Sequence, residues 1–347
     1  MRAGKLPREM LERYVLARTG AHRGDVVVGP MWGVDAAVVR HGDGYLVIST
    51  DPITAATAYI GLLAVHVSTN DVAVMGGEPR WLAFTIMLGE GADERVLDAI
   101  TAQIDEAARR LGVQVVGGHT EVTPGIDGAI VVGTAVGVAR RYYTAAGARP
   151  GDAIVLTKGA AVEGTAVLAH DFEEDLLVRG VPRRVVEDAK RYMWMTSVVG
   201  EAMLAVREFG DSITAMHDPT EGGLLSALHE LADASGVGIE VDLDSVYVAP
   251  ETREVCAALG VDPYRLLSSG SLVITVRGVE EAEGLVERLR AAGVWAGVIG
   301  TVREPGFGRR ARIGGRVVEM PRPERDEIWR LVERSSGQTS YASSGTS

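Results

Sequence analysis

The chain has 347 residues, is 46% hydrophobic and 24% charged, and carries a formal net charge of −12. That length predicts about two domains with a sizeable core, and the acidic surplus argues against nonspecific nucleic-acid binding, which needs basic side chains to neutralise phosphates. No apolar run reaches transmembrane length and no secretory apolar core opens the chain, so a cytoplasmic location is expected; the single cysteine, Cys256, excludes intramolecular disulfides and cysteine metal clusters.

Residues 5–20 predict a short helix with Leu11, Tyr14 and Val15 on one face. Residues 26–28 read as a strand, 29–33 as a glycine-bounded turn, and Asp35 leads into the next strand. By itself Asp35 reads equally as a turn carboxylate. Residues 45–49 predict a strand that Thr50-Asp51-Pro52 should end. That leaves Asp51 at a sheet end, where α/β proteins often place ligand groups; capping a turn or helix is the alternative role.

Residues 61–79, GLLAVHVSTNDVAVMGGEP, are the stretch around which the rest is arranged. Leu62, Leu63, Val65, Val67, Val72, Ala73 and Val74 predict a mostly buried helix, broken at Gly76-Gly77. The polar cluster Ser68-Thr69-Asn70-Asp71 interrupts that run, and Asn70 is the one asparagine in the sequence. A carboxylate on a buried helix is costly unless paired, and a metal ion is the simplest partner for Asp71.

Residues 81–88 predict a strand and 93–111 an amphipathic helix, with Val96, Leu97, Ile100, Ile104, Ala107 and Leu111 at helical spacing. Residues 113–116 predict a short strand ending in Gly117-Gly118-His119-Thr120-Glu121. The glycines should let the backbone approach a ligand, placing His119 and Glu121 at the same sheet end as Asp51. His119 also reads as an ordinary polar histidine. After a strand over 130–139, a proline- and glycine-containing turn at 146–152 marks a boundary between domains 1–146 and 147–334. Residues 335–347 are low-complexity and expected to be disordered.

A strand over 153–157 runs into the small-residue turn 158–164, which lacks the Walker pattern. Lys158, just past the strand, is a phosphate-contact candidate. Residues 171–206 read as helical. A strand over 212–216 precedes His217-Asp218-Pro219-Thr220-Glu221-Gly222-Gly223 and a helix over 224–234, which Thr220 or Asp218 is placed to cap and whose N-terminus suits an anion. Strands over 237–241, 271–276, 297–302 and 311–319 and a helix over 280–292 complete an alternation that predicts two α/β or α+β units.

Asp35, Asp51, Asp71 and Asp218, with Glu121 as a fifth, thus stand at ends of apolar segments. Such hard oxygen ligands suit magnesium, which takes carboxylates together with phosphate oxygens and water. The expected chemistry is positioning and charge neutralisation around a nucleotide. Zinc does not fit one cysteine and scattered histidines.

The ordered segments GVDAAVV (33–39), STDP (49–52), STNDVAVMGGEP (68–79), VVGGHTEVTPG (115–125) and MHDPTEGGL (216–224) resemble the superfamily of aminoimidazole ribonucleotide (AIR) synthetase, selenophosphate synthetase, thiamine monophosphate kinase and the hydrogenase maturation factor HypE. NDVAVMGGEP and HDPTEGG look most like HypE. The resemblance implies a two-domain PurM-like fold of α/β and α+β class, with the N-terminal sheet pairing in a homodimer and a C-terminal α+β domain. It implies ATP and Mg2+ in the cleft between the domains. Asp35, Asp51 and Asp71 then look like metal and phosphate residues, Asp51 and Asp71 carrying the chemistry. Gly117, Gly118, His119 and Thr120 look like the nucleotide loop, with Asn70 and Lys158 joining the nucleotide set and Asp218 contributed by the second domain.

Two departures from the HypE pattern stand out. His119 occupies a position where HypE-type proteins usually have an aspartate, and Glu121 is placed to compensate as a metal ligand. HypE dehydrates an S-carboxamide on its own C-terminal cysteine to a thiocyanate with ATP, whereas this sequence reads SSGTS there, so self-directed cyanide synthesis is not expected. Selenophosphate synthesis is not expected either, without a cysteine in the N-terminal region. The expected function is a HypE-like, ATP- and Mg2+-dependent activation of an oxygen on a substrate or partner protein by phosphorylation, in hydrogenase or other metalloenzyme maturation. A small-molecule kinase or cyclo-ligase of the thiamine-monophosphate-kinase or AIR-synthetase type is one alternative. A non-catalytic nucleotide-binding partner in a maturation complex is another.

Overall fold

Two mixed sheets organise the chain, which the computed structural model describes over residues 4–54 and 58–333. The expected tail, residues 335–347, lies outside the described residues. The first sheet has the order β1-β2-β3-β6-β4-β5, made of β1 (Val26–Val28), β2 (Ala37–His41), β3 (Gly44–Ile53), β4 (Glu78–Leu88), β5 (Gln114–Val122) and β6 (Ala129–Ala139). Its pairs are antiparallel except β4 with β5, which the helix-containing crossover between them makes parallel. Before β1, helix α1 (Arg8–Leu11) widens into a looser turn over Glu12–Leu16.

Helix α2 (Ile60–Val74) packs against β3 and β6, and α3 (Glu94–Leu111) packs on α2. The expected contrast between these helices holds. α3 buries one stripe, including Ile100, Ile104 and Ala107, and is capped by Asp93, whose carboxylate accepts from the Arg95 N–H. α2 is buried on almost every side, its polar cluster included. Close approach to the sheet requires glycine beneath it: a Cβ on Gly133 of β6 would lie 2.7 Å from the Ala64 carbonyl oxygen.

The second sheet has the order β13-β12-β9-β11-β7-β10-β8. Its strands are β7 (Ala153–Thr157), β8 (Ile213–His217), β9 (Gly238–Asp242), β10 (Val273–Val276), β11 (Ala296–Arg303), β12 (Arg309–Ile313) and β13 (Arg316–Glu319). Strand alternation divides the core. Ala153 and Val155 face the layer containing α4 (Val162–Asp171), α5 (Glu173–Val178), α6 (Arg183–Lys190), α7 (Val199–Phe209), α9 (Pro250–Leu259) and α10 (Val279–Ala291). Ile154 and Leu156 pack with Leu224, Leu225 and Leu228 of α8 (Gly223–Ser235) on the other face. No helix among the described residues is long and apolar enough to cross a membrane.

Two strand boundaries differ from the sequence reading, and both bear on the site. Pro52 does not end β3: Asp51 pairs with Gly133 and Pro52 with Val132. β2 pairs with β3 only as far as Ile48, so beyond it one side of β3 is a free edge, where a residue without an N–H is tolerated. Likewise β5 does not stop at Val116 but continues through the GGHTE segment to Val122, paired along β4.

Candidate nucleotide and metal site

Four aspartates converge from both halves of the molecule. Ser49 and Asp51 lie two residues apart on β3 and so share a face, opposite the buried turn of α2 that carries Asp71. Ser49 Oγ is 2.6 Å from Asp71 Oδ2 and 3.1 Å from Asp51 Oδ2. One hydroxyl has one proton and can satisfy only one carboxylate at a time. The second must hold a proton or meet a cation. Burial, with Asp51 next to it, accordingly pushes the Asp71 carboxyl well above the usual range.

Asp35, from the turn before β2, meets the end of β8. His217 Nδ1 lies 3.0 Å from an Asp35 carboxylate oxygen, and His217 Nε2 lies 2.9 Å from Glu230 Oε2 on α8. Burial pulls the imidazole pKa down, but Asp35 and Glu230 outweigh it and raise it well above the ordinary histidine value, so both ring nitrogens donate. Asp218 is buried with Oδ2 unbonded, and burial and Asp35 push its carboxyl up to about 7. Asp35, His217 and Asp218 each place one ligand atom within 4.8 Å of the others.

Asp35, Asp51 and Asp71 line one cavity of about 910 Å³. Val34, Ile53 and Val67 add apolar wall, and Glu163, Glu221 and Ser269 face it from the second half. Glu163 is buried and accepts from Ser269 Oγ at 2.5 Å. The Asp51 and Asp71 oxygens that share one hydroxyl donor, with the orphaned Asp218 Oδ2 beside Asp35, are the hard oxygen donor set a divalent ion fits.

The remaining expected site residues lie elsewhere. Gly117, Gly118, His119, Thr120 and Glu121 sit on β5, level with Asp51 along the strands (Asp51 pairs with Gly133, Gly133 with Phe84 and Phe84 with Gly118) but separated from β3 by β6 and β4, so they share its sheet end without lining its cavity. Glu121 is solvent-facing, bonded to His119 Nε2 at 3.2 Å and accepting from Thr123 Oγ1 at 2.7 Å. Gly118 serves the sheet: a Cβ there would meet the Phe84 carbonyl oxygen at 2.1 Å. The segment borders a separate cavity of about 380 Å³ under α3.

Asn70 points away from the main cavity, its amide spent on the backbone of Thr196 and Val198. Lys158 is also committed: Nζ donates to the carbonyls of Met195 at 2.9 Å and Ser197 at 2.5 Å and pairs with Glu201 at 2.7 Å. Neither Thr220 nor Asp218 caps α8, which begins after Gly222 in a left-handed conformation. Sequence reasoning missed Ser49, His217, Glu230 and Glu163 as site residues. The two-residue spacing of Ser49 and Asp51 and the place of His217 beside Asp218 in MHDPTEGGL carried a signal; Glu230 and Glu163, brought in from other segments, carried none.

A two-domain AIR-synthase architecture with an acidic interdomain site is the class this geometry defines. The chain belongs to the AIR synthase related proteins, whose N-terminal domain description matches residues 33–139 and whose C-terminal domain description matches residues 149–310. It is 36% identical over 279 residues to the carbamoyl dehydratase HypE of Azotobacter vinelandii, covering 77% of this chain and 78% of that one. It is 29% identical over 333 residues to a putative hydrogenase expression/formation protein of Methanocaldococcus jannaschii, covering 92% and 94%. A crystal structure of the hydrogenase maturation protein HypE in complex with ATP superposes with a TM-score of 0.71 at 26% identity, over 94% of this chain and 97% of that one. The PurM-like fold and the HypE likeness read from the motifs are thus the ones found.

Proposed function

We propose that this chain is a HypE-type, ATP-dependent hydrogenase maturation enzyme whose Asp35, Asp51, Asp71 and Asp218 hold Mg2+ against the nucleotide phosphates. The observation that carries this reading is the convergence of Asp51 from β3, Asp71 from α2 and Asp35 from the turn before β2 on one cavity, with Asp218 from the end of β8 next to Asp35. Relatives named as carbamoyl dehydratases and a HypE structure holding ATP support it. When bound, the metal would neutralise the triphosphate and orient it for attack by an acceptor oxygen. The chain's own contribution is positional: Ser49 orders the Asp51 and Asp71 carboxylates, and the His217 imidazolium fixes Asp35.

The acceptor group is not carried on Cys256, which is 2% exposed in α9 and whose thiol burial raises to about 12. A partner protein of the maturation machinery presents it. A homodimer completes the reading. All nine residues of β5 are exposed, Val115, Val116 and Val122 among them, and a second copy covering this edge removes an otherwise unprotected strand. The nucleotide role of Gly117, Gly118, His119 and Thr120, and the ligand role of Glu121, then depend on the second copy's bringing them to its neighbour's cavity.

Calorimetric titration of Mg·ATP into the wild-type chain and into Asp71→Asn tests the reading. Binding by the former and its loss in the latter are expected. A wild-type chain that takes up no ATP in the presence of Mg2+ would overturn it.

A further inference from the structure

The cavity wall is acidic, with Asp35, Asp51, Asp71, Glu163 and Glu221, and among its described lining residues the one basic side chain is Lys5. The sequence has two other lysines, both committed elsewhere: Lys158 to the 195–201 turn and Lys190 to Glu173 and Glu187. Lys5 belongs to the segment before α1, and with Gly4 it forms part of the cavity wall, to which Leu16 from the turn after α1 adds.

Its backbone and its side chain are held differently. The Lys5 N–H donates to Glu221 Oε1 at 3.3 Å, and that carboxylate is itself fixed by the Trp329 indole N–H at 2.7 Å. Among the described residues the ammonium contacts Thr220 Oγ1 at 3.2 Å and Glu230 Oε1 at 3.7 Å, and its side chain is 48% exposed. Glu230 makes its shorter contact, 2.9 Å, with His217. An ammonium has three donors, and this one is held near the acidic wall by charge without being saturated. Lys158, with three contacts of 2.9 Å or less and 11% exposure, is the opposite case.

We propose that Lys5 is a further binding residue of this site, its ammonium contacting the terminal phosphates of the bound nucleotide while the segment that carries it covers the triphosphate. This rests on the reading of the cavity as a Mg·ATP site. A polyphosphate entering a wall of carboxylates is repelled except where metal ions neutralise it, and Lys5 is the cation the lining itself supplies. A compact charge on a four-carbon stem suits phosphate, and the change needed is one of rotamer, with the backbone anchored by Glu221.

Dissociation constants for Mg·ATP and for AMP, measured on the wild-type chain, Lys5→Met and Lys5→Arg, test this. Lys5→Met should weaken Mg·ATP about tenfold to a hundredfold, the range of a charge-assisted hydrogen bond, with AMP binding and melting temperature unchanged, and Lys5→Arg should recover most of the loss. Limited acetylation read by peptide mass should show Lys5 protected by Mg·ATP and not by AMP. Equal Mg·ATP affinity in wild type and Lys5→Met overturns the Lys5 role and leaves the nucleotide site standing. Loss of AMP binding and of melting temperature along with ATP binding overturns it in favour of a structural role. Absence of Mg·ATP binding to the wild-type chain overturns both readings.

Discussion

Asn70 Nδ2 donates to the Thr196 carbonyl at 2.8 Å, joining the helix of the first sheet to the turn before α7. The same side chain accepts from the Val198 N–H at 2.7 Å, so its two polar ends match one acceptor and one donor of a buried turn. Asn70→Leu keeps the size but leaves both backbone groups unpaired. We expect a loss of roughly 2–4 kcal/mol of unfolding free energy, the cost of two unsatisfied buried groups. Urea denaturation followed by far-UV circular dichroism measures it, and an unchanged midpoint would show that the clasp contributes nothing.

Asp71→Asn should separate stability from ligation. Without metal the variant is expected to melt at the same temperature as the wild type or higher, because the substitution removes a buried carboxylate that burial and Asp51 already disfavour. With saturating Mg·ATP the wild type should gain about 2.7 kcal/mol at a hundredfold excess over its dissociation constant, and the variant should gain almost nothing. Paired thermal scans with and without ligand provide the check.

His66 sets a pH dependence. Its Nδ1 lies 2.8 Å from Thr196 Oγ1, and that hydroxyl donates to the Met193 carbonyl at 2.9 Å, so the neutral ring donates. Burial, with Lys158 and Arg110 adding to it, lowers the pKa from 6.5 to about 3. A folded-state pKa below the unfolded one means that the unfolded chain binds the extra proton. The contribution of His66 is therefore complete above the unfolded value and lost as pH falls below it. Between about pH 7 and about pH 5 the wild type should lose roughly 2 kcal/mol relative to His66→Gln. Denaturation midpoints of the two proteins that fall in parallel over this window would refute the assignment.

The β5 edge should govern assembly. Val116→Glu combined with Val122→Glu places charges on an exposed strand without touching the core. Light scattering should report a dimer for the wild type and a monomer for the double variant, whose Mg·ATP affinity should fall if the GGHT segment serves the neighbouring copy. A wild-type chain that is monomeric at micromolar concentration would remove the dimer.

The legible part of the site was the part written in short segments. Asp71 on a buried helix announces itself, because an unpaired buried carboxylate conflicts with its surroundings, whereas Asp35 and Asp51, which read locally as turn or capping carboxylates as well, stand out only as members of an ordered set of motifs. Asn70 stands out as the one asparagine, in a polar interruption of an apolar run, and Lys158 by its place just past a strand, yet both meet backbone groups of the 195–198 turn, more than a hundred residues from Asn70 and nearly forty from Lys158, which also pairs with Glu201. A local anomaly says that a partner exists without saying which.

From the sequence alone came the two-unit α/β organisation, the buried helix with its polar interruption, the amphipathic α3 and the identity of the acidic residues, because periodicity and burial cost are properties of neighbouring residues. The three-dimensional structure alone decided that β3 and β5 run through their motifs, that three strands' width separates Asp51 from His119, and that Lys5 meets Glu221 and Glu230 at the cavity. Strand order and long-range pairing follow from the packing of whole sheets and helices, and no short window of residues contains that information.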